Sequence, residues 1–336
     1  MTGSLVAAGH SDRPHLAKLS GNMHRRHLLQ SFLLALTLLA PAIPGQQAQT
    51  QTAAKSVAAQ DPIYFRLAVI GASGSAGFNT QYEVEEDVPL AEFLSHGLRL
   101  PHEEPLNFSS SFFFLNPKPS GESQVKSAKA VRPTAVVALD FLFWYAYGTK
   151  KNPQQRFEDL EEGMSLLGSF RCPVFVTTLP DMTPAIGTML SRSQVPKPEN
   201  LAKLNQRLLE WVDDFDHVHL VPMTQFLDDL RAGKAVATKH FAWPKNSESR
   251  LLQRDHLHPT VEGMGALSLL VLEALDQLDG DSTATPYLFQ PLSIRDAVAA
   301  HRGLAWTPRG YLPQDEVQAA PSESEQSPVE VQESGS

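Results

Sequence analysis

Two short stretches hold the residues whose types and spacing could do chemistry. The first, Gly71-Ala72-Ser73-Gly74-Ser75-Ala76-Gly77, follows the apolar run Leu67-Ala68-Val69-Ile70. The second, Asp255-His256-Leu257-His258-Pro259, lies far downstream. A serine hydroxyl is a poor nucleophile at neutral pH. It needs a histidine to take its proton and a carboxylate to orient that histidine. Ser73, His258 and Asp255 offer one of each. A glycine-spaced loop after a strand also suits a dinucleotide pyrophosphate, provided an amphipathic helix begins at once. Here the loop runs into FNTQYEVEEDVP, where Glu83, Glu85, Glu86 and Asp87 crowd together and Pro89 closes the segment. Those carboxylates read as a solvated face and would repel a pyrophosphate, so an NAD(P)-binding oxidoreductase is the weakest reading.

His256, His258 and Asp255 could instead hold a metal, but such a site needs a third or fourth ligand from elsewhere. The other histidine cluster, His217 and His219, is expected to point to opposite faces of a strand. The single cysteine, Cys172, lies in the apolar run CPVFVTTL and reads as core. One thiol builds neither a disulfide framework nor a cysteine-based metal site. No metal and no cofactor are expected.

The two motifs together resemble the SGNH (GDSL) hydrolases. That family's first block, Gly-Asp-Ser-x-(Ser/Thr)-x-Gly after a strand, is similar to residues 71–77 except that Ala72 stands for the aspartate. Its last block, Asp-x-x-His-Pro before the final helix, is similar to residues 255–259. The Leu179-Pro180-Asp181 turn and the LNQRLLEW helix also look like family segments, and the likeness spans roughly 61–280. It implies a three-layer α/β/α, flavodoxin-like parallel sheet and ester hydrolysis without a cofactor. Ser73 would be the nucleophile, His258 the base, Asp255 its orienting partner, and the Ser73 N–H an oxyanion donor. The family's Gly-x-Asn-Asp block should fall near residues 140–144, where this chain has Asp140-Phe141-Leu142-Phe143-Trp144. The asparagine, an oxyanion donor, is missing. For the second-block glycine, Asn107, Ser109, Ser110 and Gly121 lie in the right stretch. Gly74, Asn107 and Asp140 are the candidates for oxyanion or substrate contact. Asp140 could equally be a capped loop residue. A non-catalytic secreted binding protein on the same fold is the alternative to a hydrolase.

The elements that must position these residues follow from hydrophobic pattern. FRLAVI (65–70), TAVVALDF (134–141), PVFVTTL (173–179) and HVHLVPM (217–223) read as buried strands. Leu201, Leu204, Leu208, Trp211 and Phe215 recur at the spacing of an amphipathic helix. TQFLDDLRAG reads as a helix with Thr224 as N-cap and Gly233 at its stop, and a last helix is expected over about 260–278. Strands separated by helices imply a parallel sheet with ligands beyond its carboxyl edge. Phe141, Phe143, Trp144, Tyr145 and Tyr147 begin at that edge and read as packing more than pocket, and Phe112, Phe113 and Phe114 as core.

Composition bounds the rest. Of 336 residues, 42% are hydrophobic and 19% charged, enough for a sizeable core. A net charge of −9 argues against nucleic acid. HRRHLLQSFLLALTLLAPAIPG (24–45) has the order of a secretory signal, basic then apolar then small residues. Its paired arginines hint at twin-arginine export, and Met23 sits where such a signal would start. Residues 1–45 are therefore read as a signal region, 46–60 as a linker, 61–310 as one domain, and 311–336 as a disordered acidic tail. An exported protein follows, periplasmic or extracellular, anchored at its N-terminus if the signal stays. Its expected partner is a small-molecule, glycan or lipid ester, with no stable membrane span after cleavage.

Overall fold

A computed structural model describes residues 61–150, 152–280 and 285–304, all within the unit Ala58–Ser336. The signal-like segment, the linker and the acidic tail lie outside the described residues.

Three strands, β1 (Leu67–Val69), β3 (Ala135–Val137) and β4 (Val174–Val176), are buried at every position. That is what continuous apolar runs become in a sheet covered on both faces. β2 (Leu106–Asn107) and β5 (Val218–Leu220) flank them as edges. The order is β2-β1-β3-β4-β5 and every pairing is parallel, with Val69 opposite Val137 and Val137 opposite Phe175. This is the flavodoxin-like order.

One crossover steps from β1 outward to β2, and the remaining steps run the other way. Right-handed connections then put the intervening helices on opposite faces. Leu90–Gly97 packs with Val261–Asp279 and Pro291–His301, while Pro117–Ala130, Pro153–Gly168 and Pro198–Asp214 form a second packed group. The expected three-layer α/β/α architecture is what the chain adopts.

The Pro198–Asp214 helix buries Leu201, Leu204, Leu208 and Trp211, the stripe read from its spacing. Val261–Asp279 starts after Thr260, whose Oγ1 accepts the Gly263 N–H at 3.0 Å. It is not the last helix, because Pro291–His301 follows and covers it. Thr224 is not an N-cap. The helix Met223–Arg231 begins one residue earlier, and the Thr224 hydroxyl donates to the Thr178 carbonyl at 2.8 Å. Gly233, with φ of +67°, does follow that helix. Pro89 opens a helix rather than closing a segment.

The acidic cluster is only partly a solvated face. Glu83 accepts the Val261 N–H at 3.2 Å, and Glu86 pairs with Arg302 at 2.5 Å. Of the three phenylalanines, Phe113 is fully buried, whereas Phe112 and Phe114 are exposed. His217 and His219, two residues apart at an extended strand, share a face. Each ring packs on a phenylalanine, Phe215 and Phe175 respectively. Cys172 is half-buried against the core, its thiol pushed up to about 11 by burial.

Candidate active site

The site is assembled where β1, β3 and β4 end. Residues 71–77 leave β1 and fold back on themselves. The Ala76 N–H donates to the Ala72 carbonyl at 3.0 Å, and Phe78 to Ser73 at 3.0 Å. Two glycines are needed for this path. A Cβ on Gly71, where φ is +150°, would stand 2.1 Å from an Asp140 oxygen. A Cβ on Gly77, at φ of +75°, would stand 1.9 Å from the Val88 carbonyl oxygen.

What Gly71 makes room for is a carboxylate. Asp140, just beyond β3, accepts the Ala72 N–H at 2.9 Å and the Ser75 hydroxyl at 2.6 Å on Oδ1, and the Ser75 N–H at 3.1 Å on Oδ2. The loop lacks an acid at position 72 and receives one from the neighbouring strand. Asp140 is therefore a loop-holding residue, and it also lines the cavity beside Ser73. Its carboxylate takes two of the loop's main-chain donors, the N–H groups of Ala72 and Ser75. On the other side Gln124, from the Pro117–Ala130 helix, exchanges two hydrogen bonds with the Gly71 peptide at 2.8 and 2.9 Å.

Ser73 stands between those anchors, half-buried. The segment 251–260 reaches it from the amino end of the Val261–Asp279 helix. This segment is closed on itself: Gln253 N–H donates to the His258 carbonyl, and Thr260 N–H to Leu251. Asp255 accepts the N–H groups of Leu257 and His258 at 2.9 and 3.0 Å on one oxygen. Its other oxygen lies 2.7 Å from His258 Nδ1. His258 Nε2 lies 2.8 Å from Ser73 Oγ. An ionised carboxylate only accepts, so Nδ1 carries the imidazole proton and Nε2 accepts from the serine hydroxyl. Burial would raise the Asp255 carboxyl, but the hydrogen bonds and charge of His258 outweigh it and hold the group below its ordinary value.

Beside Ser73 opens a cavity of about 80 Å³ that runs between Met223–Arg231 and the start of Val261–Asp279. Leu227, Leu230, Leu251 and Ala266 are among its walls, and its only titratable lining residues are Asp140 and His258. Phe143 and Trp144 line it too, while Phe141, Tyr145 and Tyr147 are packing. The aromatic run is thus divided between the two roles. Gly74 lines the cavity, and among the described residues the N–H groups of Ser73 and Gly74 donate to nothing. Asn107 does not line this cavity: exposed on β2, its oxygen accepts the N–H and hydroxyl of Ser109. Gly121 packs against Tyr145. No cluster of three or more metal-ligating side chains occurs among the described residues.

Sequence reasoning missed the amides. Gln124, Asn205 and Gln253 each bond main-chain groups around the site, Asn205 by exchanging bonds with the Leu179 peptide at 2.7 and 2.8 Å. For Gln124 and Asn205 the signal available was an amide beside buried helix residues, whereas Gln253 lies outside any helix and offered none.

No protein-family model matches the chain, and no curated protein matches it. Solved structures do. A lipase/acylhydrolase from Enterococcus faecalis is 18% identical with a TM-score of 0.42, covering 64% of this chain and 96% of its own. A GDSL-like lipase from Bacteroides thetaiotaomicron is 15% identical with a TM-score of 0.42, covering 64% and 89%. The psychrotrophic esterase EstA from Pseudoalteromonas is 10% identical with a TM-score of 0.40, covering 64% and 99%. Such likeness says nothing of what this chain acts on. The strand order and the contacts at Ser73 are properties of the chain itself.

Proposed function

We propose that this chain is an exported carboxylic ester hydrolase of the SGNH type, with Ser73 as nucleophile, His258 as base and Asp255 as its orienting partner. The observation that carries this reading is the unbroken hydrogen-bond path from Ser73 Oγ through both nitrogens of His258 to Asp255. In the first half-reaction Ser73 Oγ bonds to the ester carbonyl carbon while its proton passes to His258 Nε2. The carbonyl oxygen takes the negative charge beside the N–H groups of Ser73 and Gly74. The C–O bond to the alcohol then breaks, and His258 protonates the leaving oxygen. Water repeats the sequence on the acyl-serine, giving up a proton to His258, and releases the acid with Ser73 restored. Asp255 keeps the imidazole in the required tautomer and faces its positive charge. No side-chain amide stands at 140–144, so the hole rests on two main-chain donors. One donor is worth about 100- to 1000-fold in rate, which predicts a slow enzyme.

The cavity supports an uncharged, apolar acyl group as the substrate's buried part, since its walls are largely leucine, methionine and phenylalanine and its one carboxylate, Asp140, is already engaged by three hydrogen bonds. Export rests on the order of residues in 24–45. A fluorophosphonate probe tests the core of the proposal: labelling of the purified protein, abolished by Ser73→Ala, is the expected result. No labelling together with no hydrolysis of short p-nitrophenyl esters would leave the non-catalytic binding protein as the better account.

A further inference from the structure

We infer that Gln253 is a positioning residue for the contact between Ser73 and His258, an inference that rests on the hydrolase reading above. Its Nε2 donates one proton to the Phe78 carbonyl at 2.8 Å and the other to the Pro259 carbonyl at 2.7 Å. Its own N–H donates to the His258 carbonyl at 2.8 Å, and its carbonyl accepts the His256 N–H at 3.0 Å. One half-buried planar amide therefore joins two segments that are otherwise far apart in sequence.

Each carbonyl it grips belongs to a residue that bonds or adjoins the main chain of Ser73 or His258. Phe78 donates its N–H to the Ser73 carbonyl at 3.0 Å, closing the nucleophile loop. The Phe78 ring also lies against the His258 ring, with centroids 4.6 Å apart. Pro259 directly follows His258 in the chain. Since both amide protons are committed, the separation of the two carbonyls is fixed by the width of the amide group itself. That separation sets how close Nε2 comes to Oγ. Displacing a reacting pair by about 1 Å can cost on the order of 100-fold in rate, so a group far from the bond being broken controls the reaction through geometry.

The test compares Gln253→Met, which keeps shape but donates nothing, with Gln253→Asn, which keeps the amide one methylene short. For each, the second-order rate of fluorophosphonate labelling, kcat and KM for a short p-nitrophenyl ester, thermal stability and the low-field proton signal of His258 Nδ1–H are measured. The expected result is a fall of about 100-fold in labelling rate and kcat per folded molecule for the methionine variant. The asparagine variant should lose less, KM should hold, and the Asp255–His258 proton signal should persist. That combination is not produced by a merely structural role, which would lower stability and leave the folded fraction fully active. The inference is overturned if both variants label and turn over as fast as the parent, or if losses track the unfolded fraction alone. Should the methionine variant not fold, the asparagine variant decides by the same criteria. A parent protein that does not label overturns the hydrolase reading and this inference with it. A parent that labels beside variants that are unimpaired overturns only this one.

Discussion

Asp140 shows how much a single carboxylate can hold. Its two oxygens accept three hydrogen bonds from residues on either side of Ser73. Asparagine at this position would present one acceptor oxygen and turn an N–H₂ toward a donor, leaving at least one polar group unmatched. Such an orphan costs about 1–3 kcal/mol. Asp140→Asn should therefore lower the urea midpoint by a stability change of that size and slow labelling at Ser73, because the loop it holds is the one that carries Ser73. Asp255 makes a pH-dependent contribution of the opposite visibility. Its folded carboxyl lies below its ordinary value. The stability it adds is complete above the unfolded carboxylate value of about 3.9 and is lost as pH falls through the lower folded one. Urea unfolding of the parent and of Asp255→Asn should differ most near neutral pH and converge toward strong acid. A gap that stays constant from neutral to acid would refute this. The contacts among Ser73, His258 and Asp255 were legible because a hydroxyl, imidazole and carboxylate able to form such a hydrogen-bond path have few substitutes. Asp140 was not, since one aspartate at a strand's end suits a substrate and a loop equally well until its partners are seen.

Among the elements, the Met223–Arg231 helix and the first turns of Val261–Asp279 face each other across the cavity beside Ser73. Ala266, on the second helix, is a small residue in that wall and 2% exposed. Replacing it with phenylalanine should fill the space a longer acyl group would use. The expected readout is a specificity change. Hydrolysis of p-nitrophenyl acetate should stay near the parent rate while activity toward hexanoate and longer esters falls tenfold or so, the scale on which one or two methylenes discriminate. An unchanged chain-length profile would show that the acyl group lies elsewhere. The strands that were legible are β1, β3 and β4, buried on both faces where apolar runs are unbroken, and the edge β5, which falls within HVHLVPM. β2 is a two-residue edge with an exposed asparagine, too short and too polar for a pattern. Leu90–Gly97 lay hidden behind Pro89, which can end a helix or begin one. Pro291–His301 buries Pro291, Ile294, Val298 and Ala299 at helical spacing, but this is a short stripe of only four residues that begins at a proline.

For the molecule as a whole, the parallel sheet was readable from the alternation of strands and helices, and its order could be fixed only by hydrogen bonds between strands. A sheet of this order gathers its loops at one edge. The glycine loop of β1, Asp140 after β3 and Leu179 after β4 meet there although they are separated by dozens of residues. The loops after β1 and β4 are gripped by side chains from elsewhere in the chain, Gln124 at Gly71, Gln253 at Phe78 and Asn205 at Leu179, and Asp140 after β3 itself grips the β1 loop. The edge is thus held as a unit. Among the described residues no helix is long and apolar enough to cross a membrane.

The hydrogen bond between His258 and Ser73 joins residues 185 positions apart. Contacts of such sequence separation form late, because loop closure must come first. Refolding would therefore restore helical signal before it restores a reactive serine. The interval between those two recoveries is a clock for the docking of the C-terminal helices. During biosynthesis Ser73 likewise stays without its contact to His258 until the ribosome has delivered that residue.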